Sequence, residues 1–211
     1  SITPVNDSDP VALADAITVN EGATVTTLDS GAASVLANDS DADLPNDTLS
    51  ATIGVGPAHG SLTLNADGTF SYTHDGTENF SDVFTYIVSD ADGGVSDTGT
   101  VSITVNPFND APTTSPVTLA AIAEDSGART ITQAELLTNA NDVDGDALTA
   151  TGLAISAGNG AVVDNGDGTW DYTPAADDDT SVSFSYTVTD GTDSVAGSAT
   201  LDITAVNDAP T

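Results

Sequence analysis

Basic side chains are almost missing from this 211-residue chain: one residue, Arg129, stands against 33 Asp and Glu, for a formal net charge of −32 at pH 7. Such a polyanion repels nucleic acid and anionic lipid, whose binding relies on Lys and Arg at phosphates. Cysteine is absent, which excludes a disulfide framework and any thiolate metal site. The two histidines, His59 and His74, are isolated and make no zinc pattern. No run approaches the ~20 apolar residues of a membrane-spanning helix, so no membrane insertion is expected. The opening Ser1-Ile2-Thr3-Pro4 does not start a signal peptide, and the expectation is either a mature chain or, in preference, a piece from inside a longer one. No Ser, His and Asp grouping recurs, and paired carboxylates are explained by a bound cation, so no enzyme is expected.

What the chain does contain is written twice. Asn6-Asp7, Asn109-Asp110-Ala111-Pro112-Thr113 and Asn207-Asp208-Ala209-Pro210-Thr211 punctuate it at intervals of roughly a hundred residues. Asp67-Gly68-Thr69-Phe70-Ser71-Tyr72 returns as Asp167-Gly168-Thr169-Trp170-Asp171-Tyr172, and Phe84-Thr85-Tyr86-Ile87-Val88 as Phe184-Ser185-Tyr186-Thr187-Val188. Two domains follow, 1–107 and 108–211. Within each, apolar residues alternate with Ser, Thr and Asp at period 2, the mark of half-buried strands. Asp-Gly pairs at 67–68 and 167–168 read as hairpin turns. The fold class is therefore all-β, each repeat a sandwich of two antiparallel sheets. Thr132 to Leu137 is the one helical candidate, with Thr132 as its cap.

With no basic side chains to offset them, so many carboxylates call for a bound cation, and hard oxygen donors in this number suit Ca2+. The second repeat carries Asp142, Asp144 and Asp146 in one loop; the first carries Asp41, Asp43 and Asp47 at the matching point. These loops are not EF-hands: position twelve from Asp142 is Leu153 and position six is not Gly. An up-and-down strand path places Asp41, Asp43, Asp47 and Asp90 at the top of the first repeat, and Glu21, Glu78 and Asp82 at its bottom. Head-to-tail stacking then brings that bottom to the linker residues Asn109 and Asp110 and to Asp142, Asp144, Asp146 and Asp190 at the top of the second. The corresponding outer positions, Asn6 and Asp7 at one end and Glu124, Asn207 and Asp208 at the other, complete the candidate ligands.

The Asn-Asp-Ala-Pro punctuation, Val19-Asn20-Glu21 with Ala123-Glu124-Asp125, the Asp-x-Asp loops and Phe-x-Tyr-x-Val-x-Asp at 84–90 and 184–190 resemble the cadherin-like, Ig-like sandwich repeats of giant bacterial RTX-type adhesins. The resemblance covers essentially the whole chain. It implies two domains arranged end to end that share calcium, with Glu21, Asn109, Asp110, Asp142 and Asp144 as foremost ligands. It also implies a secreted or cell-surface bacterial protein whose repeats act as extenders in adhesion and surface attachment. Neighbouring repeats of the same chain are the expected partners; host or surface ligands would bind through other domains of the parent, and this stretch is expected to be monomeric. Two other readings are a glycan- or protein-binding module and an accessory β-domain of a secreted enzyme.

Overall fold

The alternation at residues 84–88 becomes strand with Phe84, Tyr86 and Val88 turned inward, each at most 1% exposed. The structure, a computed structural model, describes residues 8–44, 48–91 and 94–207. It divides into two compact units, Ser1–Phe108 and Asn109–Thr211.

In the first unit, β1 (Asp15–Asn20), β2 (Thr24–Val25), β3 (Ser50–Val55), β4 (Gly60–Leu64), β5 (Phe70–His74), β6 (Ser81–Ser89) and β7 (Val95–Asn106) form two sheets. Their orders are β1-β7-β6-β3 and β2-β5-β4. Ile17, Phe70, Tyr72, Phe84, Val101 and Ile103 fill the space between them. The second unit repeats the plan with β8 (Thr113–Thr114), β9 (Val117–Ala123), β10 (Arg129–Thr132), α1 (Gln133–Leu136), β11 (Ala140–Asn141), β12 (Thr149–Ala157), β13 (Ala161–Asp164), β14 (Thr169–Thr173), β15 (Val182–Thr189) and β16 (Ser194–Thr204). Sheets β12-β15-β16-β9 and β10-β14-β13 enclose Leu119, Ile131, Trp170, Tyr172, Phe184 and Leu201.

One feature departs from the expectation of antiparallel sheets. The first long strand of each unit lies parallel to the last, with Ile17 opposite Ile103 and Leu119 opposite Leu201. Among the described residues every other ladder is antiparallel. Parallel neighbours need a long connection, and here the whole unit supplies it. The consequence is that the chain comes in at one end of each unit and leaves at the opposite end.

The helical candidate is realised as α1, capped by Thr132 in a capping box with Glu135. Its counterpart, a 3-10 turn at Val35–Ala37 capped by Ser34, escaped the sequence reading because three residues carry no periodicity. Both turns serve the same inward tyrosine: Tyr86 Oη lies 3.2 Å from Val35 O, and Tyr186 Oη donates to Leu136 O at 2.8 Å.

Candidate metal centres

The Asp142–Asp146 loop leaves β11 and is turned by Gly145 at φ +80°. Carboxylate oxygens of Asp142, Asp144 and Asp146 all lie within 4.8 Å of one another. Two unit charges about 5 Å apart repel by about 3 kcal/mol at an effective dielectric constant of about 20, and the one Arg is elsewhere, paired with Glu135 at 2.7 Å. Asp142 Oδ1 accepts the Asp146 N–H at 3.4 Å, while its Oδ2 is buried with no hydrogen-bond partner. A buried acceptor left unmet costs about 1–3 kcal/mol, so an oxygen held this way among carboxylates fits a hard cation.

The incoming segment is fastened to this loop. Asp110 N–H donates to Asp144 Oδ2 at 2.7 Å, and Asn109 Nδ2 donates to Asp190 Oδ2 at 3.2 Å and Asp193 Oδ2 at 3.0 Å. Asp190 is ionised more readily than an ordinary aspartate, chiefly because the backbone N–H groups of Thr192 and Asp193 donate to its Oδ1. Asp193 was missed from sequence; the acids three apart in Asp190-Gly191-Thr192-Asp193 were its signal.

The first unit repeats the device. Asp41 Oδ1 accepts the Asp43 N–H at 2.7 Å, and Asp41 Oδ2 is buried without a partner, as in Asp142. Asp43 Oδ2 accepts the Ser8 N–H at 3.0 Å, and Asp90 Oδ1 accepts the Gly94 N–H at 2.7 Å. Asn6, Asp7, Asp47 and Asp208 lie outside the described residues.

At the other end of each unit an early glutamate holds the departing chain. Glu21 N–H donates to Asn106 O at 2.9 Å, and Phe108 N–H donates to Glu21 Oε2 at 3.3 Å. Glu124 N–H likewise donates to Thr204 O at 3.1 Å, and Val206 N–H to Glu124 Oε1 at 2.6 Å. Asn207 follows, exposed. Carboxylate oxygens of Glu21 and Glu78 lie within 4.8 Å of each other. Asp82 is used otherwise. Its Oδ1 accepts the N–H groups of Ala58 (2.9 Å) and Val83 (2.8 Å), its Oδ2 those of His59 (2.9 Å) and the Tyr72 hydroxyl (3.0 Å). With both oxygens engaged twice inside the sandwich, Asp82 stands apart from the other candidate ligands and serves the fold.

Residues 6–107 match the family model of the bacterial cadherin-like domain, and residues 108–204 that of the cadherin-like domain. Among solved structures, human protocadherin-24 EC1-2 aligns over 92% of this chain and 95% of its own, with 13% identity and a TM-score of 0.54. The human desmocollin-1 ectodomain aligns over 97% of this chain, with 13% identity and a TM-score of 0.50. An endo-fucoidan hydrolase of glycoside hydrolase family 107 is 22% identical over 98% of this chain, at a TM-score of 0.36 too low to inform on structure. The chain spans 42% of the desmocollin and 30% of the hydrolase. A comparison with curated proteins gave no match. Cadherin-like domains are non-enzymatic adhesion modules, and cadherin domains usually bind calcium. By its two matched segments and its two sandwiches, the chain is a tandem of two cadherin-like domains.

Proposed function

We propose that these two domains are calcium-stiffened extender repeats of a secreted bacterial adhesin of the RTX type, built to hold an adhesive region away from the cell surface. The observation that carries this reading is the buried, partnerless carboxylate oxygen of Asp142, repeated at Asp41, within loops that also tie down the incoming chain. Parallel first and last strands support it, because a unit with inlet and outlet at opposite ends suits an extended array. Phe108 and Asn109 are consecutive, so the Glu21-bound outlet of one unit is joined directly to the Asn109–Asp110 inlet of the next.

In the proposed mechanism, Glu21 and Glu78 of the first unit, and Asp110, Asp142, Asp144 and Asp146 of the second, would hold calcium, which would offset the repulsion among their carboxylates and stiffen the repeats. Sites of extracellular class bind with Kd of about 10⁻⁴–10⁻³ M. Millimolar calcium about tenfold above Kd adds about 1.4 kcal/mol per site.

Thermal melting paired with small-angle scattering tests the proposal. Millimolar CaCl2 raises the melting temperature and lengthens the particle relative to EDTA, and MgCl2 does neither. Identical melts and scattering in CaCl2 and EDTA would sink it.

A further inference from the structure

His74 ends β5 and is 2% exposed. Its ring Nδ1 accepts two backbone N–H groups, from Gly22 at 3.3 Å and Gly76 at 3.2 Å, and the His74 backbone N–H donates to Ala23 O at 3.0 Å. An accepting Nδ1 leaves the ring proton on Nε2. That nitrogen is buried with no hydrogen-bond partner, and Asp75 Oδ1 at 3.8 Å is beyond hydrogen-bond length.

A buried donor without an acceptor is a cost an apolar residue avoids. The second unit avoids it: four residues past Trp170, as His74 is four past Phe70, stands Pro174, also buried. What the imidazole gives in return lies on the Nδ1 side. Gly22 directly follows Glu21, and Gly76 precedes Glu78 by two residues. Both glycines are left-handed, at φ +65° and +78°, and a Cβ on Gly76 would come 4.0 Å from Gly22 Cα, so the two turns pack together around the ring.

We infer that His74 is a positioning residue for the Glu21–Glu78 carboxylate pair: one imidazole nitrogen ties the turn after β1 to the turn after β5 and so sets the separation of two cation ligands that lie far apart in sequence. The inference rests on the calcium reading above and adds the residue that shapes this part of the site. It concerns the first unit alone.

The test uses the whole 211-residue chain and three variants. His74→Asn keeps an acceptor where Nδ1 lies; His74→Leu and His74→Phe fill the space without one. Calcium binding is followed by calorimetry, with Glu21→Gln/Glu78→Gln marking the contribution of the pair, and amide exchange at Gly22 and Gly76 is read by NMR in EDTA. In the expected result the apolar variants weaken that contribution about tenfold, the range for residues that orient ligands. They also lose protection at both glycine amides, and His74→Asn restores both readouts. Apolar variants that bind calcium as the wild type does would overturn the inference while leaving the calcium reading intact. Failure of both apolar variants to fold, with His74→Asn folded, would overturn it too, by making His74 a residue of the fold. A wild-type chain with no calcium binding at all would overturn both readings together.

Discussion

The two units share a plan and differ in what lines their interiors. Where the first has Asp82 on β6, the second has Val182 on β15, fully buried. Opposite Val101 of β7 lies Asp15; opposite the corresponding Ala199 of β16 lies Val117. Asp39 and Ala140 each stand four residues beyond the helical carbonyl that faces the central tyrosine. Tyr86 Oη therefore lies among Leu13 O, Val35 O, Asp15 and Asp39 at 3.0–3.2 Å, whereas Tyr186 Oη donates to Leu136 O with Thr114 beside it and no carboxylate among these partners. Both sandwiches have an apolar core, and the first adds buried and half-buried carboxylates at points where the second places Val182, Val117 and Ala140. The loops of candidate ligands are common to both, so they persist where the interior lining changes.

The largest effect is expected at Asp82. Asp82→Ala leaves three backbone N–H groups without their acceptor and the Tyr72 hydroxyl with His59 O alone, and the first unit loses about 3 kcal/mol or more. The second unit is a built-in control. Trp170, the chain's one tryptophan, reports its melting by fluorescence, which stays in place while the calorimetric transition of the first unit moves down. Equal shifts in both signals would break the comparison.

Next come the loops proposed to hold calcium, where the units are expected to behave alike. Asp142→Asn and Asp41→Asn each remove one charge and the buried partnerless oxygen's full negative character, and each weakens calcium binding about tenfold or more by calorimetry. An effect at Asp142 with none at Asp41 would show that the repeated geometry does not carry a repeated function.

A smaller, pH-dependent effect separates the units again. Burial raises the Asp15 carboxyl to about 6, with the Tyr86 hydroxyl opposing and the Asp39 charge adding to the shift. Folding therefore favours its protonated form. The stability it contributes is present below about pH 4 and is lost as pH rises through about 6. Asp82 runs the other way: its hydrogen bonds outweigh burial and hold its carboxyl low, so its contribution is lost in acid as pH falls below the ordinary aspartate range. Asp15→Asn flattens the first-unit melting temperature between pH 4 and 6 and leaves the Trp170 transition unchanged at every pH. A wild-type first unit whose stability does not fall over that window would remove Asp15 from the account.

How far the sequence carried depends on what kind of pattern each feature leaves. Period-2 alternation exposes strands such as Phe84 to Val88 directly, and the Asp-x-Asp loops show because clustered acids are legible as clusters. Asp82 read as a candidate cation ligand beside Glu21 and Glu78; its burial depends on Tyr72, Ala58 and His59, which reach it only in the folded sandwich. His74 read as an isolated histidine with no metal pattern for the same reason, since the N–H groups it binds belong to a turn 52 residues away and to the turn that follows its own strand. The parallel pairing of β1 with β7 leaves no mark in composition at all, because either direction presents the same alternating faces.

The smallest expected difference concerns the two helical turns, which are capped unequally. Thr132 Oγ1 accepts the Glu135 N–H at 3.3 Å, Glu135 returns a carboxylate to the Thr132 N–H at 2.9 Å, and Arg129 holds that carboxylate at 2.7 Å. Ser34 Oγ instead accepts the Leu36 N–H of its own turn at 3.2 Å and donates to Asp67 O at 2.9 Å, so the cap also braces the turn against the β4–β5 hairpin. Thr132→Ala breaks a reciprocal box and is expected to cost the second unit about 1 kcal/mol, read as a fall in the Trp170 transition. Ser34→Ala removes a cap and a tertiary bond together, and its cost falls on the first unit by a comparable amount. Adding Asp67→Ala separates the two roles. Asp67 keeps its backbone carbonyl in that variant but loses the side chain that accepts from Thr69, so a Ser34→Ala effect that shrinks in its presence shows that Ser34 works through the hairpin, and an unchanged effect shows that it works through the helical turn.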